Sequence, residues 1–293
     1  MYPRRGVGSD PNVEACNAST VVTSALSVSS GRRYRSIFAV ERKEVATVAE
    51  IPANLPMRLP GRKYDRQFFF AMTVLLAAVV AIGFAPTYYL AGLLRAPLPS
   101  RIVHIHAVVF STWMILLMVQ TGLISAKRVA WHRKLGMAGF VLAIAMVVMV
   151  VLTAAGLAAR VKGAPFMELV LGLLAVTFTD AFDFAVLAGF AYALRRDAAA
   201  HKRLIILATA CLTRAAFFRW HVPILFRQVY PAYAATYVFL LLLAAYDLWS
   251  TRKMHRATIW GSAFLIFMGQ MTRFIGPSAP WHAFARWVQS WGV

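Results

Sequence analysis

The sequence predicts an all-α polytopic membrane protein, a helix bundle of about seven transmembrane helices with its N-terminus in the cytoplasm and its C-terminus outside. Three observations predict this class. Hydrophobic residues make up 60% of the chain and charged residues only 14%, with a mean hydropathy of +0.64, which is more apolar surface than a soluble fold can bury. The apolar residues form long blocks, and short basic stretches separate those blocks, as in helical membrane proteins.

Residues 1–66 differ in composition from the rest of the chain. They are rich in Ser, Thr, Ala and Arg and contain no apolar run long enough for a signal peptide. We therefore expect a disordered basic tail. A transit peptide is a weaker interpretation because the tail contains several acidic residues. An over-extended gene start is a third interpretation, since Met57 begins a basic segment suited to a short cytoplasmic lead.

Seven blocks of the chain have the length of a membrane span. A helix needs about 20 apolar residues to cross the roughly 30 Å hydrocarbon core of a bilayer. The blocks are residues 67–90, 102–126, 135–158, 166–194, 203–222, 233–251 and 257–276. The fifth block is the most polar. We predict one seven-helix membrane domain over residues 67–276.

The loops between the blocks predict the orientation of the bundle. Lys and Arg are enriched in loops that stay in the cytoplasm. Alternate loops of this chain are strongly basic, and their members are Lys127, Arg128, Arg133, Lys134, Arg195, Arg196, Lys202, Arg203, Arg252, Lys253 and Arg256. We assign these loops to the cytoplasm. An odd number of spans then places the C-terminus outside.

A Trp-rich tail, residues 277–293, follows the last block. It contains Trp281, Trp287 and Trp291, and aromatic residues of this kind favour the membrane–water boundary. We expect an amphipathic segment lying on the outer surface.

The net charge of +20 does not indicate a nucleic-acid partner. Beyond the tail, most basic residues lie in short loops between apolar blocks, where they set topology and contact anionic lipid headgroups. The lipid bilayer is therefore the expected partner. Only Cys16 and Cys211 are present, which excludes a disulfide framework and a cysteine-based metal site.

Three acidic residues fall inside the predicted spans, namely Asp180, Asp183 and Asp247. A bare charge in the bilayer costs at least about 2.5 kcal/mol, so each needs a partner. Asp180 and Asp183 share one face of the fourth span, and Arg214 lies at a similar depth in the fifth. We predict an ion pair between Arg214 and one of these aspartates. Its role is either structural, fixing how two spans pack, or part of a proton or substrate pathway.

The histidines form two groups at opposite ends of the predicted spans. His104, His106 and His221 lie near the outer face, whereas His132 and His201 lie near the cytoplasmic face. Helical spacing of three and four places His106 on one face with Phe110, Trp113, Leu117 and Gln120. A second such face carries Cys211, Arg214, Phe218 and His221. We therefore expect His106 and His221 to meet in the outer leaflet.

Two imidazoles facing each other across a helix bundle suit a b-type haem, with arginines on its propionates. We expect His106 and His221 as axial ligands, with Arg219 or Arg273 on the anionic edge. His132 and His201 are a second candidate pair for haem. A transition metal held by His106, His221 and a carboxylate such as Glu168 is an alternative use of the same residues. Interfacial histidines beside Lys and Arg are also common as topology residues.

Several function classes are excluded. The seventh span has no lysine for a Schiff base, so the chain is not a retinal protein. It also contains no phosphate-binding glycine loop, H-E-x-x-H zinc motif or G-x-S-x-G elbow.

Spans two to five carry the motifs H-A-V-V-F-S-T-W, W-H-R-K-L-G and H-K-R-L-I-I-L-A-T, together with Gln120 and Arg214. In these motifs the chain resembles a widespread family of uncharacterised bacterial inner-membrane proteins. The resemblance implies a bacterial cytoplasmic membrane and no particular activity. Similarity to b-type cytochromes of the b561 kind is architectural.

Three hypotheses for function remain open from the sequence. The first is a haem- or quinone-linked electron-transfer protein that works with quinone or respiratory-chain proteins. The second is a non-enzymatic transporter or a respiratory-complex assembly factor that uses Asp180, Asp183, Arg214 and Asp247 as polar pathway groups. The third is a structural membrane protein whose polar residues only fix packing.

Overall fold

The computed structural model describes residues 64–94, 100–227 and 229–291. The predicted disordered tail lies outside the described residues except for its last three. Those three are not part of a tail, because the first helix already begins at Asp65.

The described residues form eight α-helices and contain no β-strand. The helices are α1 (Asp65–Phe84), α2 (Arg101–Ser125), α3 (Val129–Arg160), α4 (Met167–Ala193), α5 (Ala198–Phe217), α6 (Val229–Thr251), α7 (Arg256–Ile275) and α8 (Ala279–Gln289). The predicted all-α class is confirmed.

Five helical segments are long and apolar enough to cross a membrane. They are α1 with the turn that follows it, α2, α3, α4 and α6. Their outward faces carry many exposed large apolar side chains, which suggests a multi-pass membrane protein. The helices α5 and α7 are each 20 residues long but more polar.

The most polar long helix, α5, is also the most enclosed. It packs against α1, α4, α6 and α7, and 13 of its 20 residues are buried. A helix covered on all sides by other helices can carry charged residues such as Arg203 and Arg214, provided that each finds a partner inside the protein. The low hydropathy of this segment therefore follows from its central place.

The helices run up and down, so that alternate helix ends meet. The N-terminal ends of α1 and α5 are joined by a contact between Asp65 and Lys202. Arg203 contacts Asp247 near the end of α6, and Thr258 in the first turn of α7 donates to the same aspartate. We call this end of the bundle, marked by Lys202 and Arg203, the basic end.

The bounds of the helices shift from the predicted spans where capping or proline residues act. The fifth span was expected at 203–222 but α5 covers Ala198–Phe217, because the Asp197 carboxylate accepts the N–H groups of Ala199 and Ala200 and starts the helix there. The first span ends in a π-helical turn, Ala85–Tyr89. Pro86 in that turn lacks the N–H needed to continue regular α-helical bonding.

The backbones of α1 and α5 approach each other closely at Gly83. A Cβ atom at this position would lie 2.5 Å from the backbone oxygen of Ala216. Glycine is therefore required here for the two backbones to pack together.

The predicted interfacial tail forms the short helix α8. Ser278 caps its first turn by accepting the N–H of Trp281. The Trp281 indole donates to the carbonyl of Leu171, and Gln289 donates to the carbonyl of Ala158. The helix thus packs across the ends of α3 and α4 that lie opposite the basic end.

Candidate functional site

His132 and His201 lie side by side at the basic end. Each is the fourth residue of its helix, His132 in α3 and His201 in α5. Their ring centroids are 6.3 Å apart, and the ring planes are nearly perpendicular at 80°. Both side chains are partly buried. Two imidazoles thus face the same small volume near the end of the bundle.

Hydrogen bonding fixes the His201 ring and leaves a nitrogen of each ring available. Nδ1 of His201 lies 2.8 Å from the backbone carbonyl of Ala191. Since a carbonyl only accepts, Nδ1 carries the proton and Nε2 is free to bind a metal. Nδ1 of His132 is buried and has no hydrogen-bond partner within the described residues. Both rings therefore retain one unused nitrogen.

The outer pair His106 and His221 occupies two different environments. His106 is half-buried, stacks on Phe110 at 4.1 Å between ring centroids and lies 3.5 Å from the hydroxyl of Thr153 on α3. His221 is exposed and stacks on Phe226. The expected meeting of His106 and His221 has no hydrogen bond or ring contact to support it among the described residues.

The displacement of His221 has a simple cause. The helical face that was expected to carry Arg214 and His221 together ends when α5 ends at Phe217. His221 therefore lies in the irregular segment that follows, where helical spacing no longer predicts direction. The matching face of α2 behaves as expected, since Trp113 and Leu117 are buried.

The residues expected to hold the anionic edge of a cofactor lie at the end opposite the basic end. The Arg219 guanidinium covers the ring of Phe84 at 4.7 Å. That of Arg273 covers Tyr230 at 4.7 Å and donates to Gln270. Neither arginine lies at the end of the bundle that holds the His132 and His201 pair.

The expected carboxylate for a metal site has other partners. Glu168 contacts His282 at 2.7 Å and Arg286 at 3.2 Å, so it holds α8 against the start of α4. Within residues 64–94, 100–227 and 229–291, no group of three or more His, Cys, Asp and Glu side chains is placed to hold a metal ion.

The predicted ion pair of Arg214 is present and includes both aspartates. Nη2 of Arg214 donates to Oδ2 of Asp183 at 2.6 Å, and Nε lies 3.0 Å from Oδ1 of Asp180. Arg214 and Asp183 are buried, and Asp180 is nearly so. The Arg214 guanidinium also covers the ring of Tyr233 at 4.5 Å, a cation–π contact that strengthens where water is excluded.

The charges of this central cluster do not balance. Two carboxyl groups, on Asp180 and Asp183, share one guanidinium. Oδ1 of Asp183 and Nη1 of Arg214 are also buried without a hydrogen-bond partner in the described part of the chain. One proton or one further cation is needed for the cluster to be neutral in an apolar environment.

Asp247 pairs with Arg203 at the basic end. Nε of Arg203 donates to Asp247 at 3.0 Å, the hydroxyl of Thr258 donates at 2.5 Å, and the backbone N–H of His255 donates at 3.1 Å. A fully buried carboxylate with three kinds of donor is well compensated. Asp247 is therefore bound into the packing of α5, α6 and α7.

Two ion pairs at this end, Asp65 with Lys202 and Arg203 with Asp247, were not predicted from the sequence. Lys202 and Arg203 were assigned to a loop, but both belong to α5. Asp65 was assigned to the tail, but it contacts Lys202 and accepts the hydroxyl of Tyr246 at 3.1 Å. The available signal was the position of Asp65 just before the first apolar block, since acidic residues favour the first turn of a helix.

Comparison of the chain with protein-family models, with curated proteins and with solved structures found no match. The function is therefore argued from the geometry of the chain itself.

Proposed function

We propose that this protein is a multi-pass membrane redox protein that holds a b-type haem between His132 and His201. The separation of the two rings, 6.3 Å between centroids, carries the proposal. A metal–nitrogen bond of about 2 Å on each side of an iron, with about 1 Å from each nitrogen to its ring centre, spans such a distance. The unused ring nitrogens of both side chains support the same assignment.

The number of available ligands favours haem over a bare metal ion. A protein usually supplies three or four side chains to a zinc or similar ion. Haem iron needs only two axial side chains, because the porphyrin supplies the remaining four nitrogens. A pair of histidines without a third ligand therefore suits haem. Arg133 follows His132 on α3, and its charge reaches the His132 ring, so it is suited to pair with a propionate.

We assign the cofactor to the basic end and not to the outer end. His106 and His221 were the first expectation, with Arg219 or Arg273 on the propionates. The exposed position of His221 gives that pair less support. His106 with Arg219 nearby remains the second location for such a cofactor.

The proposed protein crosses the bacterial cytoplasmic membrane seven times, with the basic end in the cytoplasm. Two observations support this arrangement. The helices α5 and α7, at 20 residues each, are about 30 Å long and match the hydrocarbon thickness. Most of the basic loop residues also lie at the end of the bundle that contains Lys202. A membrane quinone or a respiratory-chain protein is the proposed electron partner.

The test is a visible absorption spectrum of the full chain, purified in detergent from haem-replete cells, before and after reduction with dithionite. We expect a Soret band and the sharp visible bands of six-coordinate haem upon reduction. His132→Ala and His201→Ala each remove the six-coordinate spectrum, whereas His104→Ala, an exposed histidine bonded to Tyr88, serves as the matched control and leaves it unchanged.

Two outcomes would overturn the proposal in different ways. Wild-type protein without a Soret band removes the redox function. A spectrum that survives both His132→Ala and His201→Ala but is lost in His106→Ala moves the cofactor to the outer end and rejects the site proposed here.

A second candidate function is proton-coupled transport through the cluster of Asp180, Asp183 and Arg214. The unbalanced charge of this cluster favours it, because a carboxyl group that must hold a proton in the folded protein is the basic requirement of a proton relay. The test uses liposomes with a potassium diffusion potential and an enclosed pH dye. Proton uptake that depends on Asp180 supports transport, and its absence in the wild type rejects it.

A further inference from the structure

A cleft of about 1090 Å³ opens at the basic end, next to the network of Arg203 and Asp247. The ends of α4, α5, α6 and α7 line it. One wall is apolar and includes Phe190, Leu194, Trp260 and Phe264. The rim carries the cationic side chains Lys253 and Arg256. The cleft is therefore amphipathic, with charge at the end of the bundle and hydrocarbon along its side.

The cations on the rim are not neutralised by the protein. Lys202 and Arg203 also line the cleft, but they pair with Asp65 and Asp247. Within the described residues, neither Lys253 nor Arg256 forms an ion pair. Two positive charges at the rim therefore have no acidic partner there.

A second carboxylate lines the same cleft besides Asp65, and it is also already bound. Asp197 lines the cleft and accepts the backbone N–H groups of Ala199 and Ala200 at the start of α5. With Asp197 counted, the cleft and the Asp247 beneath it still carry an excess of one positive charge. An anionic ligand is electrostatically favoured at the rim.

The apolar wall is exposed on the outer surface of the bundle. Trp260 is 74% exposed and Phe190 is 59% exposed, and both lie within two turns of a helix end at the basic end. Large apolar side chains exposed beside unpaired cations mark a surface for an amphiphile. In a bilayer the lipid acyl chains lie against this apolar wall, and the lipid headgroups lie at the level of the rim.

We propose that this cleft binds one anionic phospholipid of the leaflet at the basic end. The lipid phosphate lies against Lys253 and Arg256, and an acyl chain lies along Phe190, Trp260 and Phe264. The inference is independent of the proposed haem. Basic pockets between membrane helices bind lipids in this way: the anionic headgroup contacts the cations, and the acyl chain of the lipid stays in the hydrocarbon region.

The test measures lipid binding to the full chain, delipidated in detergent, by native mass spectrometry. The probes are phosphatidylglycerol, phosphatidylcholine with the same acyl chains, and glycerol 3-phosphate. We expect one phosphatidylglycerol to bind tightly, phosphatidylcholine to bind roughly 30-fold more weakly, and glycerol 3-phosphate not to compete. The double variant Lys253→Gln with Arg256→Gln is expected to bind phosphatidylglycerol roughly 30-fold more weakly.

The control is the double variant Lys127→Gln with Arg128→Gln. These two exposed cations are in the loop between α2 and α3, which does not line the cleft, and their removal changes the net charge equally. Equal loss of binding in both double variants would show a diffuse charge effect and overturn the proposal. Competition by glycerol 3-phosphate would instead identify a soluble phosphate site.

A second measurement uses the unaltered rim. A photoreactive residue in place of Trp260 is expected to cross-link to phosphatidylglycerol in mixed vesicles in preference to phosphatidylcholine. Equal cross-linking of the two lipids at equal mole fraction would overturn the proposal even if the rim variants fail to fold.

Discussion

Arg214 donates a hydrogen bond of 2.6 Å from Nη2 to Oδ2 of Asp183. Both residues are buried, Arg214 in the last turn of α5 and Asp183 within α4. This contact joins α4 to the central helix α5. Both of its charges are removed from water, so its loss leaves a buried charge without compensation.

We predict that Arg214→Gln destabilises the protein by about 3–5 kcal/mol, because it leaves the aspartates without their cation. Thermal unfolding in a mild detergent, followed by circular dichroism, measures the change. Asp180→Asn is expected to be much milder, since it leaves one carboxylate for one guanidinium. A melting temperature of Arg214→Gln equal to wild type would contradict the role assigned to this contact.

The variant Asp180→Asn also distinguishes a packing role of the cluster from a role in proton transport. If Asp180→Asn folds normally and only proton uptake is lost, the cluster is a pathway. If Asp180→Asn folds normally and the wild-type protein also shows no proton uptake, the cluster is a packing contact alone.

Asp247→Asn is predicted to destabilise the basic end by about 3–5 kcal/mol, since Arg203 then loses its buried counter-charge. Glu168→Gln is the matched control. Glu168 also has two partners, the ring of His282 and the guanidinium of Arg286, but it is 55% exposed, so its removal is expected to cost less than about 1 kcal/mol. An equal loss of stability in the two variants, measured by thermal unfolding, would contradict the prediction that the buried ion pair contributes more than the exposed one.

Gly83→Ala is predicted to destabilise the protein by about 1–3 kcal/mol, because the added methyl group collides with the backbone of Ala216. Gly189→Ala is the control, since a Cβ atom there meets nothing within 4 Å. That change is expected to be neutral or slightly stabilising in a helix. Thermal unfolding of both variants distinguishes a close helix contact from a general preference for glycine.

Acidification is predicted to weaken the start of α7 through His255. Nδ1 of His255 accepts the N–H of Ala257 at the first turn. Burial, followed by the charge of Arg203, lowers the pKa of His255 below its ordinary 6.5. The neutral ring therefore adds stability that is fully present above pH 6.5 and is lost as the pH falls through the lowered pKa of the folded protein.

Unfolding measured from pH 7.5 to pH 4.5 tests this effect. His255→Asn keeps a capping group that does not titrate and is expected to flatten the pH dependence. Asp197→Asn is the control at the start of α5, because hydrogen bonding from Ala200 lowers the pKa of Asp197 below 3.8, which is outside this range. A pH slope that persists in His255→Asn would assign the effect to another group.

The sequence predicted those features that depend on a single helix or on two neighbouring helices. Asp180, Asp183 and Arg214 share a depth in consecutive apolar blocks, and the helical rise alone was enough to predict their contact. The lengths of the apolar blocks likewise predicted where the chain forms helices. The tail after the last block forms the helix α8, and its location on the outer membrane surface stays a prediction.

The missed features depend on where helices end and on which distant helices pack together. His221 follows the end of α5 at Phe217, so the periodicity of α5 does not extend to it. Arg203 and Asp247 come from α5 and α6, and Asp65 from α1, and their meeting depends on the central place of α5. No spacing along the chain specifies that packing.

The enclosed position of α5 also bears on how the protein is made. Arg214 emerges from the ribosome just after Asp180 and Asp183, so its counter-charges already exist when α5 is synthesised. Arg203, by contrast, is made before Asp247 and must wait for α6. The helices α4 and α5 can therefore enter the bilayer with Arg214 already paired, whereas the contact of Arg203 at the basic end forms only after α6 has been made.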